Sequence, residues 1–215
     1  MNVHVITPLG RPQNYAKLAG MILGQGVSSW IILLDQHQRM VLPTFGGKCK
    51  FQSYEVAGGG HRGAMLMNVA LKEYNFISDD WYCWLCDDDW LPPNFIETLR
   101  ANAAEDAALI ICSLQRGDQI PVKASQVGHP GHPCWSLLAS PQGLCYGGIS
   151  FEQGIMRGNA IREFRKSNVI DPMDPNEKAL IAMAKSFRTQ YISELFIWFN
   201  YLEPGRWNSH DDNPR

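Results

Sequence analysis

Short apolar runs alternate with segments of helical periodicity along the first half of the chain. Residues 3–6 are a largely β-branched run, closed by Thr7-Pro8-Leu9-Gly10-Arg11-Pro12; residues 14–23 then place Tyr15, Leu18, Ala19 and Ile22 at helical spacing. Trp30-Ile31-Ile32-Leu33-Leu34, ending in Asp35, is apolar at every position, the pattern of a strand buried on both faces. A polar-alternating strand over 51–56 leads through Gly58-Gly59-Gly60-His61-Arg62-Gly63 into a helix over 64–74. The next apolar strand, 81–86, ends in Asp87-Asp88-Asp89, and Pro92-Pro93 open a helix over 94–103 with Phe95, Ile96 and Leu99 on one face. Residues 107–114 read as another strand. This order predicts an α/β fold with a mostly parallel central sheet flanked by helices.

The second half is less regular. Residues 115–147 carry Gly117, Gly128, Gly131, Gly143 and Gly147 with Pro121, Pro130, Pro133 and Pro141, which predicts loops and short strands. Residues 146–151 read as a strand containing a glycine pair. A basic stretch (Arg157, Arg162, Arg165, Lys166) follows, then a helix over 175–187, a strand over 191–201 and a polar tail. No linker divides the chain, so residues 1–215 are expected to form one domain.

Composition narrows the class. With 45% hydrophobic and 19% charged residues the 215-residue chain is globular rather than disordered. A net charge of -2 gives no broad field for a phosphate backbone, which disfavours general nucleic-acid binding. There is no apolar run of the roughly 18–20 residues that span a bilayer, and no signal-peptide pattern at the start. A soluble, cytoplasmic protein is expected, with no stable membrane association. Cys83 and Cys86 fall three apart inside a strand and so face opposite ways, which suits neither a shared metal nor a redox pair; the six cysteines are expected to be reduced.

Asp87-Asp88-Asp89 is the strongest chemical signal, because ligands of open α/β sheets bind beyond the carboxyl ends of the strands. Two carboxylates 4 Å apart repel by about 4 kcal/mol at an effective dielectric of about 20, and a divalent cation relieves that cost. In an extended chain Asp87 and Asp89 share one side, and all-oxygen ligation favours Mg2+ or Mn2+. Gly58–Gly63 fits a dinucleotide fingerprint poorly, since Asp79 and Asp80 precede the next strand instead of ending it. Arg62 at a helix start nevertheless suits a phosphate. His129 and His132 lack a third ligand nearby in sequence and read as loop residues. Asp174-Pro175-Asn176-Glu177 reads first as a helix start, with Asp174 as N-cap; a general base fits the same segment.

On these residues the chain resembles the GT-A-fold glycosyltransferases, in particular the large inverting family with an Asp-x-Asp motif. The resemblance covers residues 2–115 well and 140–201 loosely, and implies a nucleotide-sugar half (1–115) and an acceptor half (116–215). It places the Thr7, Pro8, Leu9 and Arg11 loop along the nucleotide, Asp35 on the base and Asp87 at the ribose or uracil, with Asp88 beside the donor. It gives Asp89 to a Mn2+ or Mg2+ ion, with His210 as a late ligand. Residues 60–68 match partly: Met67 stands where the family has arginine and Ala70 where it has glycine. The family's paired acids before the late helix are absent, which leaves the base among Asp174, Glu177 and Asp171. The activity so implied is metal-dependent hexosyl transfer from a nucleotide-sugar donor, a UDP-sugar first, to a hydroxyl of a glycan or other acceptor. Two alternatives stay open: a nucleotidyltransferase joining a sugar phosphate to a nucleotide, and a non-catalytic nucleotide- or sugar-binding module.

Overall fold

The apolar runs become the inner strands of one sheet. The computed structural model describes residues 1–37, 40, 42–43, 45–56, 62–116, 136–137, 139–144, 149–171, 173 and 176–199. Gly58–His61, His129, His132, Cys134, Cys145, Asp174 and His210 lie outside them. The elements in chain order are β1 (Val3–Pro8), α1 (Tyr15–Gly24), β2 (Ser29–Asp35), β3 (Cys49–Tyr54), α2 (Arg62–Glu73), β4 (Trp81–Trp84), α3 (Phe95–Asn102), β5 (Leu109–Arg116), β6 (Ser136–Leu137), β7 (Gly154–Arg157), α4 (Gly158–Ser167), α5 (Asn176–Ser186) and β8 (Thr189–Phe199).

The sheet runs β3-β2-β1-β4-β7-β5-β6, with β8 beside β5. The β1–β2, β2–β3, β1–β4 and β5–β8 pairs are parallel, while β7 runs antiparallel between β4 and β5. Successive residues of the inner strands face opposite cores. Val3, Val5, Trp30, Ile32, Cys83, Ile110 and Cys112 join α1 and α3 on one face. Ile6, Ile31, Leu33, Tyr82, Trp84, Leu109 and Ile111 join α2, α4 and α5 on the other. Burial on both faces is why these strands carry no polar alternation.

Two readings change. Of the strand expected over 146–151, residues 146–148 lie outside the described residues, Ile149 and Ser150 are irregular, Phe151 begins a 3-10 turn (Phe151–Gln153), and the strand β7 follows immediately after it. Ser150 and Gln153 form a reciprocal capping box that stops an extended run and starts the turn. The basic stretch is the helix α4, and its charges are engaged. Arg165 donates to the Ala70 and Tyr74 carbonyls at 3.1 and 2.7 Å and to the Leu71 carbonyl, and lies over the Phe76 ring. Arg157, at the end of β7, lies over Trp81, and Arg162 bonds Ser78, so these cations tie β7 and α4 to the segment that enters β4.

At the opposite end of the strands from the acidic triple, buried His4 bridges Ser29 Oγ at 2.6 Å and Asp80 Oδ2 at 2.9 Å, and Asn2 donates to the other Asp80 oxygen. This network ties β1, β2 and the start of β4 together.

Candidate functional site

β4 ends at Trp84, but Leu85 N still donates to Ile6 O, so the chain leaves the sheet only at Cys86. It then turns: Asp89 N donates to Cys86 O at 3.2 Å, and the next residue, Trp90, exchanges two backbone hydrogen bonds with Trp198 of β8. The acidic triple is therefore held between two strands on the carboxyl edge of the sheet.

The turn sorts the three carboxylates differently from an extended chain. Asp87 and Asp88 share a partner: the Arg11 guanidinium pairs with Asp87 Oδ1 and reaches Asp88 Oδ2 at 3.2 Å. Asp87 Oδ2 also accepts from Gly10 N at 2.7 Å and Arg11 N at 2.6 Å, and Asn14 Nδ2 donates to the Asp87 carbonyl. Asp87 thus holds the loop after β1 in place. Asp89 goes the other way, fully buried, with a carboxylate oxygen, the Cys86 sulfur and a Glu152 oxygen mutually within 4.8 Å.

Glu152 is the residue that the sequence reading missed. It sits in the 3-10 turn before β7, and accepts from Cys86 Sγ at 2.9 Å and from Ser150 Oγ. Gln153 ties the same turn to β5 through the Cys112 carbonyl at 2.8 Å. The available signal was an acid directly after an apolar segment in an uncharged neighbourhood, but a strand reading of 146–151 put it past the end of the element. Burial pushes the Cys86 thiol well above its ordinary range, and the carboxylates of Glu152, Asp89 and Asp88 push the same way, so Cys86 is a neutral donor.

The other expected residues spread along this edge. Asp35 ends β2, buried, and accepts from His37 N at 3.0 Å. Thr7 and Leu9 face the core, with the Thr7 hydroxyl accepting from Trp30 Nε1, and Arg11 is the side chain of this loop that reaches the acidic turn. Pro8 packs beside Gly63 at the start of α2, whose first residue is Arg62. Glu177 is in the first turn of α5, where burial raises its pKa, a backbone hydrogen bond opposes that, and the Glu152 charge adds to the rise. Asp171 caps the exposed Met173 N at 2.9 Å and its own carbonyl accepts from Asn68. Cys49, Cys83, Cys86 and Cys112 are free thiols, as expected.

The donor set suits a divalent cation: two buried carboxylates from different segments converge, with one neutral sulfur beside them. No helix among the described residues is long and apolar enough to cross a membrane.

No protein-family model and no curated protein matches the sequence. Solved structures resemble the fold. The inositol-1-phosphate CTP transferase of T. maritima superposes with a TM-score of 0.51 at 12% identity, over 89% of this chain and 85% of that one. A putative glucose-1-phosphate thymidylyltransferase from Bacillus anthracis gives 0.51 at 8% identity, over 89% and 86%. The fold is nucleotidyltransferase-like. In this nucleotidyltransferase-like sheet, which is also the GT-A type, the acidic turn lies where open α/β sheets bind ligands, beyond the carboxyl ends of the central strands.

Proposed function

We propose that this protein is a metal-dependent transferase that joins or exchanges groups between a nucleotide and a sugar, at the cleft above β1, β2 and β4. The observation that carries the reading is the buried acidic turn after β4, anchored to the β1 loop through Arg11 and to β8 through Trp90. Asp89 would hold a Mg2+ or Mn2+ ion, whose charge offsets that of a departing di- or pyrophosphate. Arg11 adds a fixed cation at the same place, and Asp35 stands at the neighbouring strand end where a nucleobase edge is to be met.

Two transfers fit this cleft. The activities named for the solved structures of like fold favour nucleotidyl transfer, and we place it first. A sugar-phosphate oxygen attacks the α-phosphorus of a nucleoside triphosphate, the bond from that phosphorus to the bridging oxygen breaks, and pyrophosphate leaves. One observation favours the second, glycosyl transfer from a nucleotide sugar. The Gly10 and Arg11 amides, which a triphosphate cradle needs, both donate to Asp87, so the β1 loop is braced by protein and not open to phosphate. In that reaction an acceptor hydroxyl attacks the anomeric carbon and a nucleoside diphosphate leaves. A carboxyl with a raised pKa, as at Glu177, suits taking the acceptor proton near neutral pH.

The products separate the two. The protein is incubated with Mn2+ and either nucleoside triphosphates plus sugar phosphates, or nucleotide sugars, and pyrophosphate and nucleoside diphosphate are measured. Pyrophosphate release that needs a sugar phosphate supports the first reading; nucleoside diphosphate from a nucleotide sugar supports the second. Asp89→Ala is expected to lower either by at least about 100-fold. Release of neither product from any pair sinks the proposal.

A further inference from the structure

Glu152 is only 7% exposed and lies next to the fully buried Asp89, yet its carboxylate is met by two neutral donors, Cys86 and Ser150, and pairs with no cationic side chain among the described residues. Arg11, a cation of this edge, is engaged by Asp87 and Asp88. A buried carboxylate beside another, without a counter-charge, either takes a proton or shares a cation. The geometry accommodates the cation. Oxygen ligands sit about 2.1 Å from Mg2+ or Mn2+, hence about 3 Å apart when adjacent and about 4 Å when opposite. The carboxylate oxygens of Asp89 and Glu152 already lie within 4.8 Å of each other.

The two acids also come from separate segments, one on the turn after β4 and one on the turn before β7, and these strands are paired through Trp81–Arg157, Tyr82–Met156 and Cys83–Ile155. Sheet pairing, rather than a flexible loop, sets their separation. We propose that Glu152 shares one divalent cation with Asp89, and that Cys86, as a hydrogen-bond donor to Glu152 Oε1, is a positioning residue that aims it. This rests on the reading of Asp89 as the metal carboxylate, and adds a second ligand from the acceptor half and a role for the strand-end cysteine.

The test reads metal binding rather than turnover. Mn2+ alone is titrated into the full chain and the free ion is followed by its EPR signal. Wild type is expected to bind one ion, and Glu152→Gln to weaken it on the order of 100-fold. Cys86→Ala should weaken it about 10-fold, while Cys86→Ser, which keeps a donor, stays near wild type. A Glu152→Gln affinity equal to wild type, or no binding by wild type, overturns the proposal. Because Glu152→Gln can fail to fold, wild type is also loaded with Fe2+ and exposed to peroxide and ascorbate. Backbone cleavage is expected in both segments 86–90 and 150–154, and cleavage confined to 86–90 overturns the shared site. Failure of the transferase reading shows separately, as absent product from a chain that still binds Mn2+.

Discussion

Gly158 shows how far one residue can be fixed by its surroundings. A Cβ there would stand 1.9 Å from the Ile77 carbonyl oxygen and 3.2 Å from the Tyr82 ring, and the backbone is not free to retreat because Gly158 N bonds Asp80 O at 2.8 Å. Gly158→Ala is expected to cost about 3 kcal/mol or more, read as a lower urea midpoint at an unchanged slope. Glu177 gives a prediction in pH. Its folded pKa is raised by burial, with the Glu152 charge adding, so the fold favours the protonated form. Its stabilising contribution is complete below the ordinary glutamate pKa of about 4.3 and is lost as pH rises through the folded value. Glu177→Gln should match wild-type stability near pH 4 and exceed it increasingly toward pH 8; urea midpoints whose difference stays flat across that range would refute this assignment. Such residues are hard to see in sequence: Gly158 is one glycine among 19, and Glu177 reads as an ordinary first-turn acid.

Among the elements, α2 and α4 depend on each other. The last turn of a helix leaves carbonyls without partners, and for α2 a single side chain from α4, Arg165, serves the carbonyls of Ala70, Leu71 and Tyr74 while covering Phe76. Burial lowers the Arg165 pKa, with the Tyr54 and Glu73 charges opposing and the Arg162 charge adding to the fall. Arg165→Met keeps the apolar stem, removes the donor to the Leu71 carbonyl and leaves the Ala70 and Tyr74 carbonyls with only the Tyr74 and Phe76 amides, at an expected cost of about 1–2 kcal/mol. Hydrogen exchange should rise first at the C-terminal turn of α2, and uniform exchange across the molecule would contradict a local cap. The elements of the first half were legible because continuous apolar runs and helical spacing each point to one structure. The second half was not. The 3-10 turn at Phe151–Gln153 is fixed by a capping box and by a bond to Cys112, which only the folded sheet supplies. Helix α4 was hidden because the segment reads only as a basic stretch, whereas in the fold Arg165 turns to the carbonyls at the end of α2.

For the whole molecule, the α/β class, the sheet with mostly parallel pairs and the acidic strand end could be read from the sequence, since each depends on local pattern. What depended on tertiary placement could not. Asp87 and Asp88 meet Arg11 from 76 and 77 residues away in the chain, and Cys86 meets Glu152 from 66 away. Asp87 and Asp88, which an extended chain would point to opposite sides, share Arg11 because the chain turns there, closed by Asp89 N on Cys86 O. That same turn, bridged at its far end to Trp198, has a spatial consequence. It works as a strut between the loop after β1, reached through Arg11, and β8, although β1 and β8 are not neighbours in the sheet.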